Sequence, residues 1–184
     1  MNIEQCIEVL KNSGTLLYPT DTIWGLGCDA TNEQACEKII HLKNRPENKS
    51  FILLVDGFPM LEKFVPDFHP VCYDLAELAD KPLTIIYPTS KDLAPSVLAD
   101  DGSVGIRITK DANCLKLIRG LRKPIVSTSA NLSGEAIPTC FSEINEEIRS
   151  NVGGILELRQ EEKLTKPSQI IKIGLDGSVK VLRG

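Results

Sequence analysis

Only two histidines, His41 and His69, occur in the 184 residues. Histidine-centred metal sites and catalytic triads therefore have almost no raw material. Cysteine pairing is equally poor. Cys6, Cys28, Cys36, Cys72, Cys114 and Cys140 contain no CxxC spacing and most sit among apolar neighbours, so buried free thiols are expected in place of disulfides or zinc ligands. No apolar run approaches the ~20 residues of a membrane span. The opening Met1-Asn2-Ile3-Glu4-Gln5 has no basic region before an apolar stretch, so no secretory leader is expected and the cytoplasm is the expected location. Gly25-Leu26-Gly27 lacks a following GK[ST] and the spacing of a dinucleotide fingerprint, which excludes a P-loop and argues against a Rossmann turn. Ser129 is not set in GxSxG, so covalent hydrolase chemistry is disfavoured. Nor is there a basic excess. Twenty-one Lys and Arg against twenty-five Asp and Glu give a formal charge of −4, which argues against a broad nucleic-acid surface while leaving room for a local cationic cleft.

What is present fits one domain over 1–184 with one substantial core. Ile3, Cys6, Ile7 and Leu10 repeat at helical spacing, and Gly14 stops that helix before a strand at Thr15 to Tyr18, ended by Pro19. Thr31-Asn32-Glu33-Gln34 offers a capping box for a helix ending near Lys43, just before Pro46. Phe51 to Val55 is an unalternated apolar run, as in an interior strand covered on both faces. Helices are expected at Gly57 to Val65, Val71 to Leu78, Ala112 to Leu121 and Phe141 to Arg149. Strands are expected at Leu83 to Tyr87, Val104 to Ile108, Pro124 to Val126 and Ile155 to Leu158. A hairpin turning at Asp176-Gly177 joins Ile170 to Ile173 with Val179 to Leu182. The pattern is α/β, with helices packed on a mixed sheet.

Two dense clusters of small hydroxyl and amide residues follow apolar strands: Pro19 to Gly27, and Ser127 to Gly134. Such strand-end loops are where α/β proteins build small-molecule sites. Ser127, Thr128, Ser129, Asn131 and Ser133 can surround phosphate oxygens or a nucleobase without adding net charge. Asp21 is the one carboxylate of the first cluster. It either caps the following turn or stands beside hydroxyls that orient an amino-acid ligand. Trp24 either covers a ligand or the core, and its apolar neighbours Ile23 and Leu26 favour partial burial. Lys43, Arg45 and Lys49 form a short cationic segment suited to an anion or to solvated surface. Arg107 lies amid strand residues, where an unpaired guanidinium is prohibitively costly, so it is either a salt-bridge member or a ligand clamp. Gly105 beside it permits close approach of an opposing backbone.

At these residues the chain resembles the YrdC family. The resemblance runs over nearly the full length, through PTDTIWGLG at Pro19 to Gly27, KNRPENK at Lys43 to Lys49, GIR at Gly105 to Arg107, STSANLSG at Ser127 to Gly134, PSQI at Pro167 to Ile170 and the terminal LRG at Leu182 to Gly184. It implies an α/β fold with a large twisted mixed β-sheet, packed helices and a deep electropositive cleft. It also implies formation of threonylcarbamoyl-AMP and pyrophosphate from L-threonine, bicarbonate and ATP, with magnesium held mainly through ATP. A downstream transferase complex would pass the group to adenosine 37 of tRNA, with a weak or transient tRNA contact here. By resemblance, Thr22, Arg107 and Ser168 would bind threonine, while Lys43, Arg45, Ser127, Ser129, Asn131 and Arg183 would surround ATP. No catalytic residue and no protein metal ligand is implied. Two segments depart from the family pattern: Ala79-Asp80-Lys81-Pro82 replaces a PGP-like turn, and Gln169 replaces a threonine. The rival readings are a non-catalytic RNA- or nucleotide-binding protein and, more remotely, carbamoyl transfer of the hydrogenase-maturation kind.

Overall fold

Among the described residues, Asn or Asp begins four of the six α-helices by satisfying amides that a first turn leaves unpaired. The computed structural model describes residues 1–44 and 50–184. Asn2 and Gln5 cap α1 (Ile3–Lys11) reciprocally, at 2.9 and 3.0 Å. After β1 (Leu16–Pro19) and β2 (Trp24–Gly27), helix α2 (Glu33–Leu42) is capped by Asn32, whose Oδ1 accepts from the Ala35 amide at 3.0 Å. The expected cap at Thr31 is thus displaced by one residue, because Thr31 donates its amide and hydroxyl to Asp29. Then come β3 (Ile52–Val55), α3 (Phe58–Phe64), α4 (Val71–Leu78), β4 (Leu83–Tyr87), β5 (Val104–Ile108) and α5 (Ala112–Leu121). The remaining elements are β6 (Ile125–Val126), β7 (Thr128–Ser129), α6 (Glu146–Asn151), β8 (Gly154–Ile155), β9 (Gln169–Ile173) and β10 (Val179–Arg183). Among the described residues no helix is long and apolar enough to cross a membrane.

Hydrogen bonding divides the strands into two mixed sheets, ordered β7-β2-β1-β8 and β10-β9-β4-β5-β3-β6. The chain changes sheet at Ser127. Val126 pairs with Leu53 of β3, and two residues later Thr128 pairs with Leu26 of β2. An isolated bridge between Asp29 and Ile125 adds a second tie. Leu53 and Val55 belong to the main core with Leu26, Ile39, Ile85 and Ile106. Leu54 faces a second core formed with Leu10, Leu16, Tyr18 and α5. Burial on both faces explains why β3 reads as a continuous apolar run.

Three local expectations change. The single helix expected over Phe141 to Arg149 is a 3₁₀ turn, Phe141–Glu143, followed by α6. Asn145 restarts the helix by accepting from the Glu147 amide at 2.9 Å. The strand expected at Ile155 to Leu158 is the two-residue β8, limited to its parallel pairing with Leu16 and Leu17. Both polar clusters, read as loops, contain strands: β2 and β7 pair antiparallel, with Gly25 opposite Ser129. All six cysteines are free and five are buried. Burial raises the Cys6, Cys72 and Cys114 thiols above their ordinary range.

Candidate active site

Strand alternation places position 105 and the Arg107 side chain on one face of β5 and the side chains of Val104 and Ile106 on the other. The paired positions Ile52 and Leu54 on β3, Ile86 on β4, and Ile170 beside Thr84 fix which neighbours share that face. Ile52, Thr84, Ile86, Gly105, Arg107 and Ile170 form part of the wall of a cavity of about 270 Å³. A Cβ built on Gly105 would meet Thr84 Cγ2 at 3.4 Å and Ile52 Cγ1 at 3.7 Å. The opposing backbone is not in close approach, so the missing side chain deepens the cavity floor instead.

Arg107 is 3% exposed. Its Nη1 donates to Thr22 Oγ1 at 3.1 Å and its Nη2 lies 3.3 Å from Asp21 Oδ1, while Nε is buried with no hydrogen-bond partner. Thr22 is set by the preceding turn. Thr20 Oγ1 accepts from the Thr22 and Ile23 amides at 3.0 and 3.2 Å and lies 2.8 Å from Thr22 Oγ1. The Thr20 hydroxyl thus does the capping that Asp21 was offered for, and Asp21 is left to pair with Arg107.

On another side of the cavity Ser168, 5% exposed, shares a hydrogen bond of 2.8 Å with Thr84 Oγ1. Arg183 folds back from β10, donating from Nε to the Ser168 carbonyl at 2.7 Å and from Nη2 to Ser168 Oγ at 3.3 Å. Partial burial, and then the like charge of Arg107, push the Arg183 guanidinium below its ordinary pKa. Two guanidinia therefore line one small cavity, a setting that favours an anion. Ser127, Thr128 and Ser129 add hydroxyls to the same wall. Sequence reasoning gave Thr84 no role and had Thr20 only as a hydroxyl beside Asp21, not as the group that sets the turn. The available signal was a hydroxyl at a strand position sharing its parity with Ile86, and a Thr-x-Thr spacing at a strand end.

Lys43 does not project from the sheet edge. It is 2% exposed, and its Nζ donates to the carbonyls of Ser129 and Asn131, while its own carbonyl accepts from the Ser133 amide at 2.9 Å. Lys43 therefore clamps the loop after β7. Asn131 Nδ2 donates to the Leu132 and Glu135 carbonyls, both at 2.9 Å, and its Oδ1 is buried with no hydrogen-bond partner. The cavity wall includes Thr22, Arg107, Ser127, Ser129, Ser168 and Arg183, with Lys43 and Asn131 behind its loop and not among its lining residues. Arg45, with Pro46 and Lys49, lies outside the described residues. Trp24 is fully buried, beyond the partial burial expected, and packs on Phe141 at 5.3 Å between ring centroids. Tyr18, beneath the cluster, donates to the Val126 carbonyl at 3.0 Å, and burial raises its phenol far above the ordinary range.

Replacing Lys43 with methionine leaves two inward carbonyls without their donor, which costs about 1 to 3 kcal/mol per unsatisfied group. The expected result is a lower melting temperature, read by thermal unfolding, and an unchanged one would contradict the clamp.

The family model described as Telomere recombination, covering Sua5, YciO and YrdC, matches residues 8–184. Threonylcarbamoyl-AMP synthase from Photobacterium profundum is 31% identical over 169 residues, spanning 85% of this chain and 86% of that protein. The protein of that name from Pseudoalteromonas translucida is 31% identical over 188 residues, spanning 99% and 97%. Among solved structures, P. abyssi Sua5 complexed with L-threonine superposes with a TM-score of 0.87 at 25% identity. That match covers 98% of this chain and 53% of the other, so this chain spans about half the length of that protein.

Proposed function

The chain belongs to the Sua5/YciO/YrdC family, and from that membership we propose that it is a nucleotidyltransferase making threonylcarbamoyl-AMP from L-threonine, bicarbonate and ATP. The observation that carries the reading is the buried Arg107 guanidinium, with its unpartnered Nε, on a cavity shared with Arg183 and ringed by hydroxyls. The relative of known structure was solved with L-threonine, whose carboxylate matches the arginine fork.

In this reading Arg107 holds the threonine carboxylate, Thr22 orients the guanidinium, and Ser168 closes the pocket. The deprotonated threonine amine attacks the bicarbonate carbon, water departs, and a carbamate remains on nitrogen. A carbamate oxygen then attacks the α-phosphorus of ATP and pyrophosphate leaves. Ser127, Ser129 and Arg183 border the nucleotide, Lys43 and Asn131 hold the loop that carries those hydroxyls, and Arg45 contributes a further cation. Fixed donors of this kind favour phosphate charge as it develops, each worth about 2.7 to 4 kcal/mol in a well-formed site. Magnesium enters with ATP, on its phosphates and water. The product is destined for transfer to tRNA by a separate complex, in the cytoplasm.

Purified protein incubated with ATP, magnesium, bicarbonate and L-threonine is expected to release pyrophosphate only when all are present. Folded protein that releases none, or releases it without threonine, would overturn the proposal. Salt-sensitive RNA binding without turnover would favour the non-catalytic reading instead.

A further inference from the structure

Either hydroxyl of the Thr84–Ser168 pair is able to donate to the other. The two bring two protons to the 2.8 Å contact, which uses one of them. Arg183 Nη2 is a further donor, reaching Ser168 Oγ at 3.3 Å. Both residues belong to the wall of the Arg107 cavity, but Thr84 is 0% exposed whereas Ser168, at 5%, keeps some surface. Were Ser168 the donor, the Thr84 proton would lie where water does not reach, with no acceptor among the described residues. Folded proteins avoid such an unsatisfied donor because its desolvation is not repaid. The reverse direction leaves nothing sealed in. Thr84 donates, and Ser168 Oγ fills both of its acceptor sites, one from Thr84 and one from Arg183. The Ser168 proton is then the one left over, on the residue that keeps surface at the cavity.

Resting on the proposed function, we infer that Thr84 is a positioning residue: it makes Ser168 a hydroxyl that only donates, turned into the cavity toward an oxygen of the threonine carboxylate. A carboxylate only accepts, so a hydroxyl with both lone pairs already engaged suits it. The arginine cation on Ser168 Oγ strengthens the bond that Ser168 donates in turn. Thr84 is fixed for this task. It lies on β4, between β9 and β5 in the larger sheet, and pairs with Ile170 of β9. Its Cγ2 methyl lies toward Gly105, 3.4 Å from where a Cβ there would stand. The other branch of the side chain therefore carries Oγ1 to Ser168. Without the Thr84 hydroxyl, Ser168 regains a free lone pair and its proton is no longer committed to the cavity.

The test is equilibrium binding of L-threonine to wild type, Thr84→Val, Ser168→Ala and the double variant. Valine keeps the methyl beside Gly105 and the branched shape that suits a strand, and removes only the hydroxyl. Thr84→Val should weaken threonine binding about fivefold to tenfold, and Thr84→Ser, which restores the hydroxyl, should recover most of that loss. In the Ser168→Ala background the same valine substitution should cost nothing further, because no hydroxyl remains to be oriented. A residue that merely braced the strand would lower affinity equally in both backgrounds. Additive losses, or wild-type affinity in Thr84→Val, would overturn the inference and leave the proposed function standing. If a thermal melt shows that valine is not accommodated, Thr84→Ala takes its place in the same cycle. Folded wild-type protein that binds no threonine would remove the proposed function and this inference together.

Discussion

Replacing Arg107 with alanine is expected to reduce kcat/KM for L-threonine by between about 30-fold and several thousandfold. Truncating one partner of a buried, hydrogen-bonded charge pair costs about 2 to 5 kcal/mol, and each 1.4 kcal/mol is about tenfold. Arg107 meets that condition because it is 3% exposed and its Nε has no protein partner to compensate for lost water. In the proposed reading the loss should appear in threonine binding more than in ATP binding, which that reading assigns to Ser127, Ser129 and Arg183. Stability should change far less. The buried guanidinium itself carries a desolvation cost, and the Asp21 left behind is partly exposed and can hydrate. Arg107→Lys keeps the charge but loses the planar fork, so it should fall between the two. Steady-state kinetics with threonine varied at saturating ATP, paired with a thermal melt, separates these outcomes. An alanine variant that binds threonine normally would remove Arg107 from the site.

How far the sequence disclosed this arrangement depended on the range of the interactions involved. Helices α4 and α5 and strands β4 and β5 have the limits read from periodicity, because their apolar faces repeat within a few residues. Arg107 reads from sequence as either a salt-bridge member or a ligand clamp, and the structure shows the ion pair with Asp21 on a residue that also lines the cavity. Strands β2 and β7 were missed because Gly25, Gly27 and Ser129 have low strand propensity. β2 pairs locally with β1, but its pairing with β7 joins residues about a hundred positions apart, which no local pattern announces. Lys43 was misplaced for a related reason. Its two carbonyl acceptors come from the other cluster, and a lysine beside further charges ordinarily reads as solvated surface. Trp24 is sealed by Phe141, a residue from the least regular third of the chain.

That long-range pairing has a sharp steric requirement at Gly27, where substitution by alanine should lower stability by about 3 kcal/mol or more, near the upper end of overpacking costs. For a chain of this length that corresponds to a fall in melting temperature of roughly 6 to 12 °C. A Cβ at Gly27 would overlap the Val126 carbonyl oxygen and stand 2.9 Å from Tyr18 Cε1 and 3.1 Å from Ile125 Cγ2. None of these can retreat cheaply. The Val126 carbonyl accepts the Tyr18 hydroxyl at 3.0 Å, and Val126 is tied to β3 by its ladder, so β2 must move instead. Moving β2 strips the pairing of Gly25 with Ser129 and Leu26 with Thr128, which sets the hydroxyl wall of the cavity. Activity should therefore fall further than stability alone predicts, even at temperatures where the variant remains folded. Gly25→Ala supplies the graded comparison. Its Cβ would stand 3.3 Å from Tyr18 Cζ and 3.4 Å from Ser127 Oγ, tight contacts that a small side-chain adjustment relieves, so its melting temperature should stay closer to wild type. Equal melting temperatures for Gly27→Ala and wild type would mean that the two clusters do not meet through this strand.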